Sequence, residues 1–323
     1  MKLSFMVSAI ALCVFVFFSN NTFAQSKILP RTIITTDGEV DDQDSFIRLL
    51  LYSNEMNIEG LIYSSSMWHY KGDGRGTKFI SEMEYTKKAY GERTDLRWPG
   101  TNWMTEMIEA YAKVYPSLKT HAPNFPSPEY LSGKIKIGNI DFEGEMTSDT
   151  EGSDFIKNIL LDKNPDPVYI QIWGGTNTVA RALKSIEENF SNTAQWSEIK
   201  SAVSKKTILY AILDQDATYK KYIEPNWPEI RVLYNAAQFW NFAYPWKQVV
   251  PEKLQHLLEG KWFDENIRQH HGALAGKYYL WGDGRQIEND PEHYHGDTTQ
   301  LKKYGMQQYL SLIHISEPTR RYA

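Results

Sequence analysis

Apolar and polar positions follow two different periods along this chain. Residues 28–36 carry isoleucine and threonine as a buried strand does, and residues 37–44 then turn sharply polar. Phe46, Ile47, Leu50 and Leu51 follow at i, i+1, i+4 and i+5, the spacing of a helix lying on a sheet. A second strand is expected over Asn57–Ser66, so strand, helix and strand fall within about forty residues, a βαβ unit that favours a parallel sheet covered by helices. Asp166–Trp173 reads as another buried strand, followed by a helix with Val179, Ala180, Leu183 and Ile186 inward. Further strands are expected over Lys206–Leu213 and Glu229–Tyr234. Tyr115–Gly133, rich in Pro and Ser, reads as a long loop or insertion within the same domain. Residues 240–309 are rich in Trp, Tyr, His and Gly and have no clean period. The predicted fold class is α/β, a mostly parallel central sheet with helices on both faces.

The two ends stand apart from this pattern. The first residues hold one lysine, an apolar run from Phe5 to Phe18 and the small-residue ending Thr22-Phe23-Ala24. These are the three parts of a secretory signal peptide, with cleavage expected after Ala24 and a secreted or periplasmic bacterial location. The apolar run is shorter than the ~20 residues of a spanning helix, so no membrane span is expected in the mature form. The single cysteine, Cys13, lies inside this leader, which removes thiol nucleophiles, disulfides and thiolate metal sites from the mature chain. Leu310–Arg320 resembles the in-frame translation of a sequencing-library adaptor, so residues 310–323 are expected to be adventitious and residues 25–309 to form one domain, C-terminally truncated.

Charge narrows the partners. A net charge of −5 with scattered lysines lacks the basic face that nucleic acid requires. Aromatics make up 14% of the chain, enough for a sizeable core and for rings that stack on flat ligands.

Polar clusters follow the C-terminal ends of successive predicted strands: residues 37–42, 64–69, 174–177 and 214–216. In open α/β sheets ligands bind at that edge. The densest cluster is Asp37, Asp41 and Asp42. Three carboxylates packed without a counter-charge repel, and one is driven to protonate. A hard divalent cation such as Ca²⁺, which takes carboxylate and carbonyl oxygens, removes that difficulty. Capping explains an Asp-Asp pair at a helix start, but it does not explain Asp37 directly after a strand.

The stretch "TTDGEVDDQDSFIRLL" resembles the amino-terminal fingerprint of the inosine–uridine-preferring nucleoside hydrolases, and its continuation through "NIEGLIYSSSMW" is similar to a secreted bacterial branch first associated with cellulose binding. "WGGTNTVARAL" resembles a second nucleoside hydrolase segment, shortened by one residue. The resemblance implies that Asp37 holds a metal-bound water and acts as general base, that Asp42 ligates Ca²⁺, and that Asp41 bonds sugar hydroxyls. It also implies that the backbone carbonyl of Trp173 ligates the metal and that Asn177 shapes the loop. Three departures stand out. Thr35 replaces the family's first aspartate, Gly38-Glu39 replaces Pro-Gly and brings a further carboxylate toward metal or substrate, and the late metal aspartate is missing before Tyr309, with Asp297 a superficial substitute.

Other candidates are Trp68 and His69, which would stack on or protonate a leaving group, and Asp214 and Asp216, which either bind substrate hydroxyls or cap helices. Glu145 and Asp149 are placed nearby. His270-His271 and the group His293 and His295 are read as solvated loop histidines, because a zinc site needs a third placed ligand. The expected activity is hydrolysis of an N-ribosyl or related glycosidic bond in a nucleoside or carbohydrate. An O-glycosidase with the same cage and a non-catalytic carbohydrate- or cellulose-binding protein that keeps the fold, with polysaccharide as partner, are the alternatives.

Overall fold

The structure, a computed structural model, describes residues 29–236, 249–258 and 260–279. The expected leader (1–24), the tail (310–323), and Asp297, His293 and His295 lie outside the described residues. The centre is a six-stranded sheet: β1 (Arg31–Thr36), β2 (Asn57–Tyr63), β5 (Ile135–Ile137), β6 (Val168–Ile172), β7 (Thr207–Ile212) and β8 (Arg231–Asn235). Its order is β5-β2-β1-β6-β7-β8, and every neighbouring pair is parallel. A separate antiparallel pair, β3 (Phe79–Ile80) with β4 (Glu92–Arg93), lies in the excursion after β2. All six residues of β1 are buried, as expected of a strand covered on both faces.

Two apolar layers flank the sheet. On one side α1 (Val40–Leu51) and α3 (Trp103–His121) pack Phe46, Ile47, Leu50, Met104, Met107 and Tyr111 against Ile34, Leu61 and Tyr63. On the other, α5 (Glu151–Leu161), α6 (Asn177–Phe190) and α7 (Trp196–Lys206) bring Ile156, Val179, Leu183, Ile186 and Val203 onto Ile33, Ile62, Ile170 and Leu209. Two shorter helices, α2 (Glu84–Tyr90) and α4 (Pro128–Ser132), complete the elements used below. Among the described residues no helix is long and apolar enough to cross a membrane.

Two local expectations are corrected. The segment Tyr115–Gly133 is not one loop: α3 runs through Pro116 to His121, and α4 occupies Pro128–Ser132. The apolar stripe Trp103, Met104, Met107, Ile108 and Tyr111 anchors α3, and hydroxyls of Tyr111 and Tyr115 bond the carbonyls of Pro126 and Phe125, so packing overrides the local proline signal. Leu51, expected inward, is the last helical residue of α1 and lies exposed, while Leu49 takes the buried place beside Leu50.

The order of the strands locates the site. From β1 the chain moves outward through β2 to β5, then returns to β6 on the opposite flank of β1. The crevice at this reversal lies beyond the carboxyl ends of β1 and β6, where Asp37 and Trp173 follow.

Candidate metal and sugar site

Asp37 leaves β1 at the middle of that edge and is almost wholly buried. Gly38 turns the chain with φ +79°, and a side chain there would collide with Pro99 and the Trp103 indole. Glu39 then caps α1, whose first turn holds Asp41 and Asp42 where the helix dipole favours negative charge. The Thr36 hydroxyl bridges the turn, donating to Asp42 Oδ2 and accepting from the Gly38 amide at 3.0 Å. Gln43 Nε2 closes it by donating to the Gly38 carbonyl at 2.8 Å.

From β2 comes the loop Ser64–His69. The Ser66 hydroxyl donates to Asp37 Oδ2 and accepts from the amides of Trp68 (2.9 Å) and His69 (3.2 Å). That hub points His69 inward, with Nδ1 3.2 Å from Asp37 Oδ2 and 4.0 Å from Glu39 Oε2. Trp68 is turned the other way and packs edge-on against Tyr85 of α2, with ring centroids 5.0 Å apart.

Electrostatics separates the two inner carboxyls. Burial works against ionisation of Asp37, but the charge and hydrogen bond of His69, with bonds from Asp42 and Ser66, hold it down at about 2. Asp42 is pushed well up, first by burial and then by the charges of Asp37 and Asp41. The two neighbouring carboxyls are thus pushed in opposite directions, Asp37 down and Asp42 up. Neither pairs with a lysine or arginine among the described residues.

From β6 comes Trp173-Gly174-Gly175. A Cβ on Gly174 would stand 2.9 Å from Asp37 Cγ, and one on Gly175 would stand 2.3 Å from Asp216 Oδ2 and 2.5 Å from the Ser65 carbonyl. The glycine pair therefore lets two acidic loops close on each other. The Trp173 carbonyl accepts from Gln215 Nε2 at 2.7 Å, while Gln215 Oε1 is buried without a hydrogen bond. Asn177 Nδ2 donates to Ser65 Oγ, the Asn139 carbonyl and the Glu145 carbonyl at 2.9 to 3.1 Å, tying together the loops that follow β2, β5 and β6.

Asp214 and Asp216, from the end of β7, cap helices. Asp216 accepts from the Asn177 amide at the start of α6 and from Thr176 and Thr218. Asp214 accepts from the Tyr219 and Lys220 amides, and burial with the nearby Asp216 charge raises it to about 6. Glu145 is engaged by Asn139 and Thr147, and Asp149 by Arg181 and Ser185. His270 and His271 are exposed.

The structure thus gathers Asp37, Asp41, Asp42, His69 and the Trp173 carbonyl at one edge. It also places there two residues to which sequence reasoning gave no role, Ser66 and Gln215; the serine run after β2 was the available signal. Oxygen donors, negative charge without Lys or Arg, and an intervening imidazole fit a divalent cation. Ligand atoms of Asp37, Glu39 and His69 all lie within 4.8 Å of one another.

A parallel sheet with an acidic cage at its reversal point defines a nucleoside hydrolase-like α/β protein. Residues 31–311 match the family described as "Cellulose-binding Sde182, nucleoside hydrolase-like domain", and the chain belongs to that family. Its fold is similar to that of a nucleoside hydrolase-related protein from Saccharophagus degradans associated with carbohydrate metabolism, at 26% identity and a TM-score of 0.57. The similarity covers 78% of this chain and 51% of that one, so this chain spans about half the length of that relative. No curated protein matches the sequence.

Proposed function

We propose that this chain is a secreted or periplasmic, cation-dependent hydrolase of N-glycosyl or related glycosidic bonds, acting on a nucleoside or a small carbohydrate. The observation that carries the reading is a buried Asp37 fixed by Ser66 and His69 at the reversal point of the sheet. Hydrolysis at an anomeric carbon passes through an oxocarbenium-like state, so the site must offer a water, a base and a grip on ring hydroxyls. Asp37 is the base: it takes the proton of the water whose oxygen bonds the anomeric carbon as the glycosidic bond breaks and its electrons leave with the base or aglycone. Asp41, in the first turn of α1, faces the sugar hydroxyls. Asp37 and Asp42, with the Trp173 carbonyl, are the residues to hold a divalent cation, Ca²⁺ by family resemblance. When bound, that ion supplies Lewis acidity and a grip on adjacent hydroxyls. Asn177, through three loop contacts, keeps the cage rigid.

The test is turnover of a panel of nucleosides and aryl glycosides with added divalent cations. Asp37→Asn is expected to lower kcat by about 10²–10⁴-fold while leaving sugar binding close to wild type. The family's description as cellulose-binding supports a second reading, a carbohydrate binder that keeps the fold without turnover. Equal inertness of wild type and Asp37→Asn, with both retained on insoluble cellulose, would decide for the binder.

A further inference from the structure

His69 turns toward two carboxyls of the site. Its ring is buried, and Nδ1 stands 3.2 Å from Asp37 Oδ2 and 4.0 Å from Glu39 Oε2. Ligands about 2.1 Å from one ion sit roughly 3.0–3.5 Å apart as neighbours and roughly 4.2 Å apart as opposites. The His69–Asp37 separation matches neighbours, the His69–Glu39 separation lies between neighbours and opposites, and all three ligand atoms lie within 4.8 Å of one another. The loop carrying His69 is built for this placement, because Ser66 binds the His69 amide and the Asp37 carboxyl with the same hydroxyl.

The distribution of charge agrees. Where the related fingerprint carries its first aspartate, this chain has Thr35, whose buried hydroxyl makes no hydrogen bond. Where that fingerprint has a glycine, this chain has Glu39, within reach of His69. The imidazole of His69 adds a nitrogen donor to the oxygen donors of Asp37 and Glu39. Nitrogen donors shift preference from hard Ca²⁺ toward borderline ions.

We propose that Asp37, Glu39 and His69 form a mixed oxygen–nitrogen site that selects a transition-type divalent ion, Mn²⁺ or Zn²⁺, over Ca²⁺. This rests on the cation-dependent reading above; it takes Glu39 and His69, in place of Asp42 and the Trp173 carbonyl, as the partners of Asp37, and it replaces the ion that the resemblance implies.

The full chain, stripped of metal, is titrated calorimetrically with MnCl₂, ZnCl₂ and CaCl₂, and its Mn²⁺ form is examined by pulsed EPR for coupling to an imidazole nitrogen. Wild type is expected to bind Mn²⁺ and Zn²⁺ at least about tenfold more tightly than Ca²⁺ and to show the nitrogen coupling. His69→Ala should lose that coupling and about 10–100-fold in Mn²⁺ affinity, with Ca²⁺ affinity moving by less than about threefold. Glu39→Gln, at a partly exposed side chain, should also weaken Mn²⁺ selectively; it serves as the second variant if circular dichroism finds His69→Ala unfolded. A Ca²⁺ preference in wild type, bound Mn²⁺ without nitrogen coupling, or equal weakening of all ions in the variants overturns the site. Absent coupling with Ca²⁺-driven turnover intact in His69→Ala overturns this site and leaves the hydrolase reading standing. Mn²⁺ uptake with nitrogen coupling but no turnover on any glycoside upholds the site and removes the hydrolase reading.

Discussion

Glu143 is a buried carboxyl whose titration is open to test. Burial raises it from 4.5 to about 7, with the Asp216 charge adding to the push, and its Oε2 has no hydrogen bond. Because its folded value lies above the unfolded one, the folded chain holds more protons between those two values. Stability tied to Glu143 is therefore complete at acid pH and is lost as pH rises through about 7. Glu143→Gln should flatten that loss and stabilise the fold at pH 8 by up to about 3 kcal/mol, read from urea unfolding at several pH values. Ser66→Ala removes the hydroxyl that orients both Asp37 and His69. If the hydrolase reading holds, kcat should fall by about tenfold or more while KM changes little, since a buried bond to a charged group is worth roughly 1.5–3 kcal/mol.

At the scale of elements, the site is a meeting of strand ends, and the glycine pair after β6 sets how closely they meet. Gly175→Ala would place a methyl group 2.3 Å from Asp216 Oδ2, which the Asn177 amide holds, and 2.5 Å from the backbone carbonyl of Ser65. It is expected to destabilise by about 1–3 kcal/mol, lowering the denaturant midpoint. The motif carrying those glycines was legible in the sequence, and so was the strand before it. What it packs against was not legible, because residues 37, 65 and 216 are far apart in the chain and only the sheet order makes them neighbours. Asp214 and Asp216 illustrate the same limit: an Asp pair at a strand end suits a substrate or a helix start, and only the fold brings the amides of Asn177, Tyr219 and Lys220 to them.

At the scale of the molecule, the far edge of the sheet is held by charge. Arg31, at the start of β1, binds Glu59 of β2 and Asp162 after α5, and Lys206 at the end of α7 joins them on Asp162. Removing the guanidinium leaves buried Glu59 without its cation while Asp162 keeps Lys206, so Arg31→Met should destabilise by about 3 kcal/mol, measured by denaturant unfolding. A cation that binds only the folded state should raise Tm. At a hundredfold excess over Kd the gain is about 2.7 kcal/mol, which the thermal midpoint with and without chelator will register.

The sequence by itself determined the parallel α/β class, five of the six central strands to within a few residues, and the acidic cluster at their carboxyl edge. Those follow from hydrophobic period and residue type, which are local properties. It misjudged the segment around Pro116 and the facing of Leu51, where the packing partner outweighs the local signal. Only the tertiary structure decided that His69 turns toward Asp37 and Glu39, that burial and neighbouring charges push Asp37 and Asp42 in opposite directions, and that Gln215 meets the Trp173 carbonyl. Each of these depends on distances between segments that are remote in sequence. Burial and charge act through space, so the chemistry of this edge exists only once β1, β2, β6 and β7 lie side by side.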